Sequence, residues 1–252
     1  MHYEIIMLEF IIPIKIDLKI REKHLDILLN HINRKYDFPI NVIECDLVPK
    51  LKNDNRYKKY FYKVNFEYFN RSYTINRLKD FCQSNFICIC DADIIFDYTR
   101  FNKALKQLEN FDFIFPYTGP IYNISIKQYL EKTFSEDSLY AITSNSGILL
   151  CKRDSFIQSG MFNENFKGWG GEEQEFYHRI HKLGFKIGKI KGPLYHLNHF
   201  RKNIFKNKDL IENNRIELEK IKQMDINELK NYIEKGFLSY EKAIRHANKE
   251  IQ

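Results

Sequence analysis

The chain has 252 residues, 44% of them hydrophobic and 15% aromatic, and carries a formal net charge of +7. This suits one α/β-sized domain, or one with an appendage, around a sizeable core; no internal repeat or low-complexity linker interrupts it, and no stretch reaches the roughly 20 apolar residues that span a bilayer. The charge fits an anionic small molecule, a nucleic acid or an anionic membrane surface and does not choose among them.

Ile5 to Ile14 reads as a first strand, too interrupted by Glu9 and Pro13 to be a leader or a span. Arg21 to Ile32 has apolar residues near helical spacing, and Ile40 to Cys45 is a second short strand ending in Glu44 and Asp46. Strand, helix, strand at this spacing indicates a βαβ unit in a parallel sheet. Val48 to Tyr68 reads as a loop with a short strand around Tyr62 to Phe66. A helix then runs from Arg71 to about Cys82, a strand from Phe86 to Cys90, and a helix capped by Thr99 to about Glu109. Phe111 to Pro116 is a strand, and Tyr117 to Asn145 a loop holding one helix near Ser125 to Phe134. After the turn Ser144-Asn145-Ser146-Gly147 come a strand, Ile148 to Cys151, and a short helix, Arg153 to Ser159. A loop over Asn163 to Gly171 leads into a helix, Glu172 to Leu183; strands follow at Phe185 to Ile190 and Leu194 to His199. Asp209 to Gln252 is highly charged, with apolar residues at helical spacing, and reads as two or three amphipathic helices packed on the domain or on a partner.

Five cysteines, Cys45, Cys82, Cys88, Cys90 and Cys151, make an odd number with no C-x-x-C spacing. They read as core thiols in a reducing, cytoplasmic compartment.

Four stretches could carry chemistry. The first is Asp91-Ala92-Asp93, two carboxylates at the end of an apolar strand with apolar residues resuming at Ile94. Such acids are costly to desolvate unless a cation meets them. A divalent metal holding a diphosphate would do so, since Mg²⁺ and Mn²⁺ prefer oxygen ligands; a solvated strand end is the plainer reading. The second is Gly168-Trp169-Gly170-Gly171-Glu172-Glu173, where glycines around the only tryptophan permit close backbone approach to a ligand. Trp169 could be a sugar platform with a carboxylate base beside it, or a core plug followed by ordinary first-turn acids. The third holds His196 and His199, three apart, which face opposite ways in a strand and converge only in a turn. The fourth is Phe69-Asn70-Arg71, with a ring that could stack on a base and a guanidinium that could hold phosphate.

Together these pieces, in this order after Ile12-Pro13-Ile14 and with Asn145-Ser146-Gly147 between them, resemble GT-A nucleotide-sugar glycosyltransferases. The likeness is to the β-1,4-galactosyltransferase type and its bacterial polysaccharide-synthesising relatives, over roughly residues 3 to 205. The resemblance implies an α/β GT-A (Rossmann-like) fold with a mixed, mostly parallel sheet flanked by helices. It divides the chain into a transferase domain, 1–205, and a C-terminal helical extension, 206–252. It implies Mn²⁺ or Mg²⁺ on Asp93, with Asp91 at the ribose or the metal's water shell and a late histidine as a further ligand. His199 fits the family's Met-x-x-His pattern with His196 at the Met position, and His196 fits a strand-end ligand. Pro13, Phe69 and Arg71 would line the nucleotide with Glu44 or Asp46 near the base. Trp169, Gly170 and Gly171 would close over the donor sugar, Glu172 would hold the acceptor and Glu173 would be the general base.

The implied activity is metal-dependent, inverting transfer of a hexose or N-acetylhexosamine from a UDP-sugar to a glycan or lipid-linked acceptor, in bacterial surface polysaccharide synthesis. The alternatives are a retaining GT-A transferase, a nucleotidyltransferase, or a non-catalytic sugar- or nucleotide-binding module. Nucleic acid is not an expected partner, because Lys and Arg are scattered and no binding motif occurs. Lys202, Lys206, Lys208, Lys220 and Lys222 could place the C-terminal helices against the inner face of a membrane; a solvated helix face is the alternative.

Overall fold

The computed structural model describes residues 7–66, 68–141, 147–168, 170–199 and 208–236. Trp169, Asn145-Ser146, Phe200-Arg201, the start of the first strand, Lys202, Lys206 and the chain after 236 lie outside the described residues.

The apolar run Leu8–Ile14 (β1) is central because it can be buried on both faces. It pairs in parallel with β2 (Ile40–Asp46) on one side and β4 (Phe86–Cys90) on the other. β3 (Lys58–Lys63) adds in parallel to β2 and forms that edge. Beyond β4 lie β9 (Ile148–Lys152), β6 (Phe113–Phe115) and β10 (Ile187–Lys189). Only β9 runs antiparallel to its neighbours in this seven-stranded sheet. The expected mixed, mostly parallel sheet is what the structure has.

Side chains alternate across it as period-two geometry requires. Phe10, Ile12, Cys88, Cys90 and Leu150 pack under α1 (Ile20–Asn33) and α3 (Tyr98–Leu105). Ile11, Ile87, Ile89, Leu149 and Cys151 pack on the opposite face. That face is covered by α2 (Arg71–Asn76), α5 (Arg153–Gln158) and α6 (Glu172–Lys182). All five cysteines are free and buried. Burial pushes Cys45 up to about 11 and Cys82 to about 12, and lifts Cys88, Cys90 and Cys151 well above the usual thiol range.

Three differences from the sequence reading have physical reasons. The strand after β2 is Lys58–Lys63, not Tyr62 to Phe66; it is an edge strand whose lysines suit a half-solvated position. The cap of α3 is Asp97, whose carboxylate accepts from the Arg100 N–H at 2.9 Å, and Thr99 falls inside the first turn. A second sheet of β5 (Ile94–Ile95), β11 (Leu194–Leu197), β7 (Ile121–Ile124) and β8 (Leu139–Ala141) occupies part of the expected loop 117–145. Strands of two to four residues are too short to show a period. The same loop does hold a helix, α4 (Ile126–Glu131), opened by a Ser125–Gln128 capping box.

The C-terminal helices α7 (Lys208–Gln223) and α8 (Ile226–Gly236) bury Leu218, Ile221 and Leu229 against Phe166 and Leu183. Lys220 and Lys222 pair with Glu217 and Glu219 on the same helix, at 3.8 and 2.8 Å. No described helix is long and apolar enough to cross a membrane.

Arg179 of α6 is fully buried and bidentate to Glu175, at 2.6 and 3.0 Å, while also donating to the carbonyls of Ser159 and Met161. Removing one side of a buried pair strands the other charge. Arg179→Met is therefore expected to cost about 3–5 kcal/mol, read by urea unfolding, with much of it regained in Glu175→Leu/Arg179→Met.

Candidate active site

The site forms where β1, β4 and β2 end, with the small sheet folded beside them. Asp91-Ala92-Asp93 leaves β4 in a turn closed by the Ile94 N–H on the Asp91 carbonyl at 3.2 Å. This turn joins the large sheet to β5 of the small one. The register of the small sheet sets His196 opposite Ile94 on β5 and beside Asn123 on β7. The backbone N–H of Leu197 donates to the Asp93 carbonyl at 2.7 Å, locking β11 to the turn.

Asp93, His196 and His199 therefore converge. The Nε2 atoms of His196 and His199 lie 3.5 and 3.2 Å from Asp93 Oδ2, and one ligand atom from each of the three falls within 4.8 Å of the others. His196 Nδ1 lies 2.9 Å from Asn123 Oδ1, which orients the ring with Nε2 toward Asp93. β11 ends at Leu197, so His199 lies beyond the strand and its alternation, and both imidazoles meet one carboxylate.

A cation already touches this trio. Arg21, in the first turn of α1, donates to Asp93 Oδ2 at 2.8 Å and lies 3.0 Å from His199 Nε2. Burial alone would raise Asp93, but hydrogen bonds from His196 and His199 and the nearby positive charge of Arg21 hold it well below the usual carboxylate range. Arg21 supplies the positive charge at these donor atoms here, and one carboxylate with two imidazoles is a donor set that fits a divalent transition ion; imidazole suits such ions and carboxylate suits Mn²⁺. His24, one turn along α1, is fully buried with its ring centre 5.9 Å from that of His199. Burial lowers it to about 4, so it stays neutral beside the cluster.

Asp91 does not join the trio. Its Oδ1 accepts from Arg71 Nε at 2.7 Å, and Arg71 Nη2 reaches Glu173 Oε1 at 3.1 Å. Arg71 opens α2, which Asn70 caps by accepting from the Tyr73 N–H at 2.8 Å. Glu173 stands in the first turn of α6 and also accepts from the Gly147 N–H at 3.2 Å. Gly147 has φ +83°, and a Cβ there would meet Ile94 Cδ1 at 2.8 Å, so only glycine fits between Asp91 and Glu173. Burial pushes Glu173 up to about 8; Arg71 opposes the shift, and Glu172 and Asp91 add to it. Burial likewise raises Glu172, again against Arg71. The result is a carboxyl group poised near neutrality, as proton abstraction requires.

The other expected residues are placed as follows. Pro13 is buried opposite Ile43 in the β1–β2 ladder. Glu44 is fully buried, with its oxygens accepting from the N–H groups of Lys50 and Leu51. Asp46 pairs with Lys50 Nζ at 2.7 Å. Phe69 is half-buried, two residues before Arg71. Gly170 and Gly171 have φ of +98° and +96°, and a Cβ on Gly171 would meet the Phe166 ring at 2.8 Å. Arg21, His24 and Asn123 were not expected; their types carry no spacing signal, and only the tertiary fold brings α1 and β7 to the trio.

The matched sequence family is the one described as the N-terminal domain of galactosyltransferase, over residues 134–203. That segment holds the glycine loop, Glu172, Glu173 and both late histidines, and leaves the Asp91–Asp93 turn outside. Among solved structures, the chain is similar to Drosophila β-1,4-galactosyltransferase 7 in complex with manganese, UDP-Gal and xylobiose. The two share 16% identity over 76% of this chain and 71% of that one, with a TM-score of 0.50. It is also similar to GalNAc-T7 with UDP, GalNAc and Mn²⁺, at 14% identity over 94% of this chain and 56% of that one, with a TM-score of 0.54. The chain has the GT-A glycosyltransferase fold. No curated protein sequence matches it significantly. The GT-A expectation drawn from the sequence is supported by the family match and by the fold. The Asp91–Asp93 turn follows the end of β4, and α6 opens with Glu172 and Glu173 directly after the glycine loop.

Proposed function

We propose that this GT-A protein is a metal-dependent, inverting glycosyltransferase using a UDP-sugar, with a hexose or N-acetylhexosamine as the transferred group. The observation that carries the reading is the adjacency of two devices: the Asp93–His196–His199 trio, and the Asp91–Arg71–Glu173 string that begins two residues away. Support comes from the relatives in the same fold, whose complexes contain manganese with UDP-Gal or with UDP and GalNAc.

Asp93, His196 and His199 would hold Mn²⁺, or Mg²⁺, which as a Lewis acid offsets negative charge on the departing diphosphate. Arg71 is fixed between two carboxylates and lies where it can add a second positive charge to that leaving group. Glu173 accepts the proton of the acceptor hydroxyl as that oxygen bonds to the anomeric carbon. The carbon–phosphate oxygen bond breaks on the opposite face and UDP leaves with the electron pair. One displacement inverts the anomeric centre. Glu172, buried beside Glu173, would hold acceptor hydroxyls; Phe69, Pro13, Glu44 and Asp46 would border the nucleotide, and the loop of Trp169, Gly170 and Gly171 would border the donor sugar. A glycan or lipid-linked acceptor in surface polysaccharide synthesis completes the reading. A lipid-linked acceptor would bring the C-terminal helices to a membrane surface.

The deciding experiment is a screen of UDP-sugars that monitors released UDP with Mn²⁺ and with excess EDTA, followed by NMR of the product. Metal-dependent UDP release and a β-linked product from an α-donor are expected. Full turnover in EDTA removes the metal role; a retained α-configuration means a retaining transferase; diphosphate release means a nucleotidyltransferase.

A further inference from the structure

The glycine loop and α7 are far apart in sequence, and α7 lies outside the family-matched segment 134–203. Yet one α7 side chain grips the loop on both sides of Trp169. Asn214 is 5% exposed. Its Oδ1 accepts from the Lys167 N–H at 3.1 Å. Its Nδ2 donates to the Lys167 carbonyl at 3.0 Å and to the Gly170 carbonyl at 2.9 Å. One turn earlier, Leu210 passes close by: a Cβ on Gly168 would meet Leu210 Cδ1 at 3.7 Å. Before the loop, Phe166 is buried against Leu218 and Ile221 of α7 and Leu229 of α8. After it, Gly171 turns directly into α6 with φ +96°.

Helix burial alone would not require this. Leu218, Ile221 and Leu229 supply apolar contact, whereas Asn214 spends a buried amide on backbone groups of a glycine-rich stretch. Such a stretch loses the most conformational freedom when it is ordered. A side chain that fixes its backbone in advance removes that cost from ligand binding.

We infer that α7 is the anchor of the donor-sugar loop, with Asn214 a positioning residue that sets the backbone on either side of Trp169. The inference rests on the transferase reading only in naming the loop's ligand. Asn214 acts through Lys167 and Gly170 and takes no part in bond making. The C-terminal helical extension is thereby a working part of the site, where the sequence alone offered packing on the domain or a partner, with a solvated face or a membrane contact for its lysines.

Trp169 is the only tryptophan, so tryptophan emission, excited beyond the tyrosine absorption band, reports on this loop alone. In the full chain, Asn214→Ala is expected to raise acrylamide quenching of that emission about twofold, as a loosened loop opens locally. The donor KM is expected to rise roughly tenfold while kcat changes less than about threefold, the pattern of lost ground-state positioning. Leu108→Ala opens a cavity in the core on the other face of the sheet; it is expected to lower Tm while leaving quenching and KM at wild-type values. The inference is overturned by wild-type quenching in Asn214→Ala, or by equal changes in both variants. Should Asn214→Ala not fold, hydrogen exchange on the wild type decides: a protected Lys167 amide supports the anchor, and free exchange there overturns it. The quenching and exchange readouts stand even if the wild type transfers no sugar, a result that overturns the transferase reading alone.

Discussion

Glu173→Gln is expected to lower kcat by about 10²- to 10⁴-fold, the usual worth of a positioned base, with UDP affinity nearly unchanged. The geometry explains both halves. Glu173 faces Arg71 and the Gly147 N–H, and its amide replacement can still accept from both. What the variant loses is the ability to take a proton. Wild-type turnover in Glu173→Gln would remove the residue from the base role.

The pH behaviour follows with a definite sign. Burial raises Glu173 from 4.5 in a free chain to about 8 in the fold, against Arg71. Its stabilising contribution is thus fully present below about pH 4.5 and is lost as pH rises through 8. Catalysis runs the other way, since the base must be ionised: wild-type kcat/KM is expected to climb toward pH 8. Glu173→Gln stays neutral throughout, so it should melt at or above the wild-type temperature at pH 8.5, with the gap closing at pH 5. A variant less stable than wild type at pH 8.5 would refute the buried-acid account. Function and stability are opposed at this residue.

Asp93→Asn is expected to weaken metal binding by more than about 100-fold, since even second-layer partners of a metal cost 10- to 100-fold. The measurement is Mn²⁺ titration followed by electron paramagnetic resonance, which needs no turnover. A fold cost accompanies it, because Arg21 and two imidazoles are left around a neutral amide. Breaking a fully buried pair costs about 3–5 kcal/mol. Arg21 is 26% exposed and has Asp17 as a second partner at 3.4 Å. The expected loss is therefore roughly 1–3 kcal/mol at pH 7, below the fully buried figure. Asp93 is depressed in the fold, so its stabilisation is present above the free carboxylate range and is lost as pH falls through the folded value. The wild-type advantage should shrink on acidification. Unchanged Mn²⁺ affinity in Asp93→Asn would separate the trio from metal binding.

The central sheet was legible because β1 is largely apolar and β4 is a continuous apolar run with acids where it ends. The glycine loop and its following acids were legible because their chemistry is compact in sequence. What sequence could not show was convergence. His196 and His199 face opposite ways along an ideal strand, and both reach Asp93 because β11 ends at Leu197, before His199. Arg21 and His24 look like ordinary helix residues until α1 is laid beside that turn. Arg71 read as a phosphate holder and sits between two carboxylates. Asn214 lies in a charged helix that resembles any solvated one, because the partner of a single amide is fixed by tertiary contact alone. The small sheet escaped for a simpler reason: its strands are shorter than the pattern used to find strands.

The five cysteines have a practical side. Cys88 and Cys90 lie in the core on one face of the sheet, and Cys45, Cys82 and Cys151 in the core on the other. Shielded and held as thiols, they are mute toward alkylating reagents while the fold is closed. Reagent uptake therefore counts openings of the core itself, giving a clock for global breathing.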